Sequence, residues 1–137
     1  MGFAMEGLEA GEPPIGNTLV VGIGASAGGL KALESFFHSA EPSLGATYVV
    51  IQHLSPDFKS LMGELLARHT NLPIKAVEDG EAIVPNQVYL IPPRKLLSLT
   101  EGRLKLTDTV GSPSLPIDAF FCSLAQSCGP RAVGIVL

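Results

Sequence analysis

The sequence predicts an α/β fold with a doubly wound, mostly parallel, Rossmann-like sheet, an inserted antiparallel ribbon, and three α/β/α layers. Strand-length apolar runs alternate with amphipathic helical patterns at both ends of the chain. The middle contains strand-like runs separated by Pro and Gly, with no helical pattern between them. Hydrophobic residues make up 46% of the chain and charged residues 16%, which suits a sheet buried on both faces.

A single domain is expected, because 137 residues correspond to about one ordinary domain. Residues 1–17 are rich in Gly, Glu and Pro and lack periodicity, so we predict a poorly ordered leader. The domain itself is expected over residues 18–137. No internal repeat is visible.

The first half of this domain alternates between strand and helix. Residues 18–23 (TLVVGI) form an apolar run that ends in glycines, which predicts a buried strand and a tight turn. Residues 48–52 (YVVIQ) predict a second buried strand, and residues 74–77 (IKAV) a third, shorter one. Two amphipathic helices separate them, with apolar positions at Leu30, Leu33, Phe36 and Phe37, and at Phe58, Leu61, Met62, Leu65 and Leu66.

The second half begins with three strand-like runs, at residues 88–91, 95–99 and 103–107. Pro92, Pro93 and the Glu101-Gly102 pair punctuate them, so we predict antiparallel ribbons rather than another crossover. Pro116 opens a third helix, and residues 132–137 (AVGIVL) predict a last buried strand. The only cysteines, Cys122 and Cys128, lie in this helical pattern and are expected to be reduced core thiols.

Charge and hydropathy exclude several classes of partner. The net charge is −4, and no run of Lys or Arg stands out, which argues against nucleic acid. The apolar runs have strand length and are too short to insert into a membrane. The start of the chain lacks the pattern of a signal peptide, so a cytoplasmic location is expected.

The glycine-rich segment at residues 22–29 (GIGASAGG) has three interpretations. As G-x-G-x-x-A, with Gly22, Gly24 and Ala27, it fits a dinucleotide-binding loop. As G-x-S-x-G, with Gly24, Ser26 and Gly28, it fits a nucleophile elbow. Ser26 could also simply cap the following helix. The motif alone does not choose among them.

The end of the second strand favours the nucleophile elbow. It reads Gln52-His53-Leu54 and lacks the acidic residue that a dinucleotide domain uses to bind ribose. Parallel strands about 4.8 Å apart can bring the side chains at their carboxyl ends within hydrogen-bond reach. We therefore expect Ser26 to be a nucleophile and His53 its general base, although His53 could also be an ordinary loop histidine.

The remaining parts of such a site are less evident. Backbone N–H groups of Ala27 and Gly28, at the helix start, are candidates to bind the oxyanion. A carboxylate normally orients the histidine, and no acidic residue is a convincing candidate. We expect structural roles for the acids considered, which are Asp57, Glu78, Asp79, Glu81, Asp108 and Asp118.

With these residues in hand, the chain resembles the CheB-type methylesterase domain of bacterial chemotaxis. The resemblance rests on six blocks in order: GIGASAGG, IQHLSP, AVEDGE, VYLIPP, LPIDAFFCSLA and AVGIVL. It implies Ser26 as nucleophile and His53 as base of a cytoplasmic serine hydrolase. The implied substrates are glutamate methyl esters on chemoreceptors, with receptor glutamine deamidation as a second activity. The family needs no metal or cofactor.

Two departures qualify the resemblance. Ala27 stands where the family usually has Thr, and the family's triad aspartate follows the AVGIVL-type strand, beyond Leu137. Residues 18–137 are therefore expected to be the N-terminal part of the domain, inactive as an esterase by themselves. The sequence LPID at residues 115–118 resembles that of fused methylesterase–methyltransferase proteins. A non-catalytic module that only binds a receptor or partner is the alternative.

Overall fold

The computed structural model describes residues 18–26, 29–41, 44–52, 61–109 and 115–137. The predicted leader and Phe58 lie outside these residues. The strands are β1 (Val20–Ala25), β2 (Thr47–Gln52), β3 (Ile74–Ala76), β4 (Val88–Leu90), β5 (Lys95–Thr100), β6 (Arg103–Asp108) and β7 (Ala132–Val136). The helices are α1 (Leu30–Ser39), α2 (Leu61–Ala67) and α3 (Pro116–Cys128), and a 3₁₀ turn spans Gly129–Arg131.

Five strands form a parallel sheet in the order β3-β4-β2-β1-β7. The chain moves from β1 to one side through β2, and returns to the other side of β1 with β7. The strand order therefore reverses at β1, and open α/β sheets bind ligands outside the carboxyl ends of the strands at such a reversal. Ala25 pairs with Gln52 at the carboxyl ends of β1 and β2.

The two faces of this sheet carry separate cores, which confirms the predicted three layers. On one face, α1 and α2 bury Leu33, Phe37 and Leu66 against Ile23 and Val50. On the other face, α3 and the β5–β6 ribbon enclose a second cluster, which includes Val49, Ile51, Leu97, Leu104, Phe120 and Leu124. Burial of apolar side chains on both faces is the main stabilising contribution to such a sheet.

The β5–β6 ribbon forms as predicted. Its two strands pair antiparallel, and Thr100 and Arg103 face each other across the turn. The two turn residues, Glu101 (φ 51°) and Gly102 (φ 77°), are both left-handed, as a tight two-residue hairpin turn requires.

The expectation that residues 88–91 join an antiparallel ribbon is wrong. Here β4 pairs in parallel with both β2 and β3, so it belongs to the main sheet. The physical reason is burial, because Val88 and Tyr89 are 0% and 1% exposed. The Tyr89 hydroxyl accepts a hydrogen bond from the Val84 N–H at 3.1 Å, which ties the preceding loop to the strand. The crossover from β3 to β4 contains no helix, so strand–helix alternation could not reveal it.

The last strand also differs from its prediction as a buried strand. Among the described strands, β7 lies at the edge of the sheet, beside β1. Val133 and Ile135 pack against the α1 face, whereas Val136 is 73% exposed. Within the described residues, no helix is long and apolar enough to cross a membrane.

The close contact between α3 and β1 depends on two glycines inside the strand. A Cβ atom at Gly24 would lie 2.7 Å from Ile117 Cγ2, and one at Gly22 would lie 3.0 Å from Leu124 Cδ2. Real Cβ atoms essentially never approach another heavy atom as closely as 2.7 Å, and 3.0 Å is tighter than nine in ten real Cβ contacts. The glycines therefore allow α3 to pack directly on the backbone of β1.

We predict that Gly24→Ala lowers the free energy of unfolding by about 1–3 kcal/mol, because the added methyl group overpacks the contact with Ile117. Denaturant titration measures this. The matched control is Gly63→Ala in α2, where the new Cβ would meet Leu90 Cδ1 at an ordinary 3.7 Å. That control should gain roughly 0.5–1 kcal/mol, because alanine favours helix. In an Ile117→Ala background the cost of Gly24→Ala should shrink; an unchanged cost would contradict the packing explanation.

The two cysteines occupy different environments, which corrects the expectation that both are core thiols. Cys128 is buried under α3, whereas Cys122 is exposed on the outer side of the same helix. Burial raises the pKa of the Cys128 thiol, although nearby Arg131 opposes that shift. The thiolate is the reactive form of cysteine. Cys128 is therefore protected from modification both because reagents cannot reach it and because its raised pKa keeps it protonated.

We predict that iodoacetamide modifies Cys122 in the folded protein and Cys128 only after unfolding. Peptide mass spectrometry after timed labelling checks this, and Cys122→Ser should remove the fast phase. Equal labelling rates for the two thiols in the folded protein would contradict the assigned burial.

Candidate active site

Ser26 follows the last residue of β1 and is exposed at the carboxyl edge of the sheet. Its carbonyl oxygen accepts a hydrogen bond from the Gly29 N–H at 2.9 Å, which closes a tight turn into α1. A second hydrogen bond reaches the same oxygen from Gln52 Nε2, at 3.2 Å. The backbone around Ser26 is thus held from both the helix side and the neighbouring strand.

The interpretation of Ser26 as a helix cap loses support. The residue that caps α1 is Gly29, and no side chain makes a capping hydrogen bond there. Among the described residues, the Ser26 side chain therefore makes no capping hydrogen bond to α1.

The dinucleotide interpretation loses support from the glycines. Gly22 and Gly24 lie within β1, at the contact with α3, rather than in a loop after the strand. Their small size is explained by helix packing, without an approaching pyrophosphate. Ala27 and Gly28, the predicted oxyanion donors, lie outside the described residues.

His53, the predicted base, also lies outside the described residues. The structure does place the residue before it, because Gln52 ends β2 opposite Ala25, the residue before Ser26. Chain positions 26 and 53 therefore continue from paired residues of adjacent parallel strands, at the same edge. This is the juxtaposition on which the predicted pair depends.

A cleft of about 550 Å³ opens beside Ser26. It lies between the carboxyl ends of β1 and β7 and the start of α3, at the point where the strand order reverses. Its described lining is mostly apolar, and Asp118 is the one charged side chain among the lining residues that the structure describes. The other lining residues are Gly24, Ala25, Leu115, Pro116, Ile117, Val136 and Leu137.

Three of the acids considered as partners for His53 have structural contacts, as predicted. Asp79 Oδ1 accepts the Leu106 N–H at 2.8 Å, and Glu81 bridges to Lys75 Nζ at 2.8 Å. Asp108 pairs with Lys95 at 2.7 Å, and that hydrogen bond lowers the pKa of the Asp108 carboxyl.

Glu78 donates its backbone N–H to Glu81 Oε2 at 2.7 Å, and the two remaining acids have different positions. Asp118 lies in the first turn of α3, where a negative charge interacts favourably with the helix dipole. It also lines the cleft. Asp57 lies outside the described residues. In the part of the chain that is described, no group of three or more His, Cys, Asp or Glu side chains could hold a metal ion.

Sequence reasoning missed Gln52 as a residue of this site. It is 7% exposed, and its amide reaches the turn that carries Ser26. The available signal was a polar residue that ends the otherwise apolar run YVVIQ, directly before His53.

Comparison with known proteins identifies relatives of this chain. The chain is 34% identical over 124 residues to protein-glutamate methylesterase/protein-glutamine glutaminase 1 of Xanthomonas campestris, covering 86% of this chain and 34% of that protein. Protein-glutamate methylesterase/protein-glutamine glutaminase 3 of Paramagnetospirillum magneticum is 35% identical over 123 residues, covering 86% of this chain and 34% of that protein. This chain thus spans about a third of the length of these relatives.

Among solved structures, the Thermotoga maritima CheB methylesterase catalytic domain superimposes with a TM-score of 0.74 at 25% identity. The match covers 88% of this chain and 67% of that domain. Residues 21–137, which contain all the strands and helices except the first residue of β1, match the CheB methylesterase family. The chain belongs to the CheB methylesterase family.

Proposed function

We propose that Ser26 is the nucleophile and His53 the general base of a protein-glutamate methylesterase. The observation that carries the proposal is the pairing of Ala25 with Gln52, which puts the carboxyl ends of β1 and β2 at one edge of the sheet. Exposure of Ser26 on a tight strand–helix turn supports it further.

In the proposed reaction, the Ser26 Oγ attacks the ester carbonyl carbon of a glutamate methyl ester while His53 takes the hydroxyl proton. The oxyanion is bound by backbone N–H groups at the start of α1, with Ala27 and Gly28 as the donors. His53 returns the proton to the leaving oxygen, and methanol departs from the acyl-enzyme. Water then attacks the acyl carbon, which releases glutamate and restores Ser26. No metal or cofactor takes part.

The names of the relatives support the substrate class. They pair methylesterase with glutaminase, and the same steps hydrolyse a glutamine side chain if ammonia leaves in place of methanol. The substrate we propose is a methylated chemoreceptor. A cytoplasmic location is proposed with it, since Cys122 and Cys128 are free thiols, as is usual in a reducing compartment.

The carboxylate that orients His53 is proposed to follow β7, as the family resemblance implies. Asp79, Glu81 and Asp108 are engaged elsewhere, which supports this assignment. Because these three carboxylates are not available to orient His53, the described residues also fit a second candidate function, a module that binds a receptor without hydrolysis. Receptor binding without methanol release by the full-length natural protein would favour that second function.

We predict that Ser26→Ala in the full-length natural protein lowers methanol release from methylated receptor by at least about 10³-fold. Without the nucleophile, only substrate binding and the oxyanion donors still stabilise the transition state. The fold should persist, because Ser26 is exposed. Circular dichroism verifies the fold. Ser35→Ala, at an exposed position of α1, is the control and should retain activity. Release by the Ser26 variant near the unmutated rate would exclude Ser26 as the nucleophile.

We predict that kcat/KM of the same protein rises with pH through the titration of His53. Only neutral imidazole can accept the Ser26 proton, so activity falls about tenfold per pH unit on the acid side. Initial rates between pH 5 and 8 measure this. His53→Gln should lose activity about as completely as Ser26→Ala. A flat profile, with chemistry limiting the rate, would argue against His53 as the base.

A further inference from the structure

Two buried polar side chains stand at opposite ends of β2. Among the described residues, Thr47 (0% exposed) and Gln52 (7% exposed) are the buried polar side chains. Thr47 is satisfied, because its Oγ1 donates a hydrogen bond to the Val84 carbonyl at 2.8 Å. Gln52 is only half satisfied, since no donor within the described residues reaches its buried Oε1.

The Gln52 amide has one orientation that fits its surroundings. Its Nε2 donates to the Ser26 carbonyl oxygen at 3.2 Å. The reversed amide would place Oε1 against that oxygen, and two acceptors repel each other. The observed orientation therefore follows from the contact with the Ser26 turn, and it leaves Oε1 without a partner among the described residues. Buried side-chain atoms without a partner are uncommon, and a catalytic role is one of the explanations for such an atom.

We propose that Gln52 is a positioning residue for the nucleophile. This inference rests on the proposed function and assigns Gln52 a role in that reaction. The Ser26 carbonyl is held by the Gly29 N–H from the helix and by Gln52 from β2. Because Gln52 directly precedes His53, one side chain links the strand that leads to the base with the turn that carries the nucleophile.

The physical effect is a fixed direction for the Ser26 Oγ. The carbonyl that Gln52 holds belongs to Ser26 itself, so loss of the hydrogen bond loosens the peptide next to the reacting atom. Reactions of this kind are sensitive to geometry, and a displacement of about 1 Å can reduce a rate about 10²-fold. Gln52 acts through Ser26 and does not itself need to touch the substrate.

The first experiment compares Gln52→Met with Thr47→Val in the full-length natural protein. Each substitution removes one hydrogen bond from a buried side chain of β2 to a backbone carbonyl, at opposite ends of the strand. The measured quantity is the rate at which an alkyl fluorophosphonate labels Ser26. In that step the Oγ–P bond forms, the P–F bond breaks, fluoride leaves and His53 takes the proton. We expect Gln52→Met to slow labelling by about 10- to 10²-fold and Thr47→Val to leave it within about twofold.

A second variant tests the donor requirement. Gln52→Glu can donate to the Ser26 carbonyl only while its carboxyl is protonated, and burial raises the pKa of such a carboxyl. Its labelling rate divided by that of the unmutated protein should therefore rise as the pH falls from 8 to 5. The same ratio for Gln52→Met should stay flat. A purely structural loss would give a similar pH dependence for the two ratios, after correction for the folded fraction by circular dichroism.

A third measurement needs no catalysis. Amide hydrogen exchange at Gly29, whose N–H donates to the Ser26 carbonyl, should speed up at least about tenfold in Gln52→Met and remain unchanged in Thr47→Val. Equal labelling rates for these two folded variants would overturn the positioning role while leaving Ser26 as nucleophile. Absence of Ser26 labelling in the unmutated protein would instead overturn the proposed function, and the role of Gln52 in it. Gly29 exchange would then still report whether Gln52 holds the turn.

Discussion

The close approach of α3 to β1 is the constraint on which the rest of the structure depends. It is possible because Gly22 and Gly24 present no side chains toward Ile117 and Leu124. The approach buries Phe120 and Leu124 in the second core. It also brings the first turn of α3 beside the end of β1, where it forms one wall of the cleft at Ser26. The same two glycines thus determine both the packing of a layer and the shape of the site.

Features set by local chemistry could be predicted from the sequence. The strand–helix alternation, the left-handed turn at Glu101-Gly102 and the helix that opens at Pro116 each depend on residues within a few positions. The position of Ser26 at the end of β1 depends on the same short-range pattern. The family resemblance added the order of six blocks, and its fold and membership were confirmed.

Features set by distant contacts were missed. The parallel pairing of β4 depends on burial of Val88 and Tyr89 beneath segments far away in the chain, and its crossover lacks the expected helix. The different exposure of Cys122 and Cys128 depends on which side of α3 meets the ribbon. The contact between Gln52 and Ser26 spans 26 positions, so no local pattern could show that a polar strand end is held to the serine turn.

The anchoring of the β5–β6 ribbon has a consequence for how the protein behaves in concentrated solution. The Leu99 N–H donates to Ser123 Oγ and its carbonyl accepts from Ser127, so two α3 serines occupy the backbone groups on the outer side of β5. On the other strand, Leu104 exchanges backbone hydrogen bonds with Gly80 and Glu81, through its carbonyl and its N–H respectively. A two-stranded ribbon ordinarily offers two free edges to which the strand of another molecule can add. At these positions both edges are already bonded within the molecule, so the ribbon is a poor template for strand addition and fibrous aggregation.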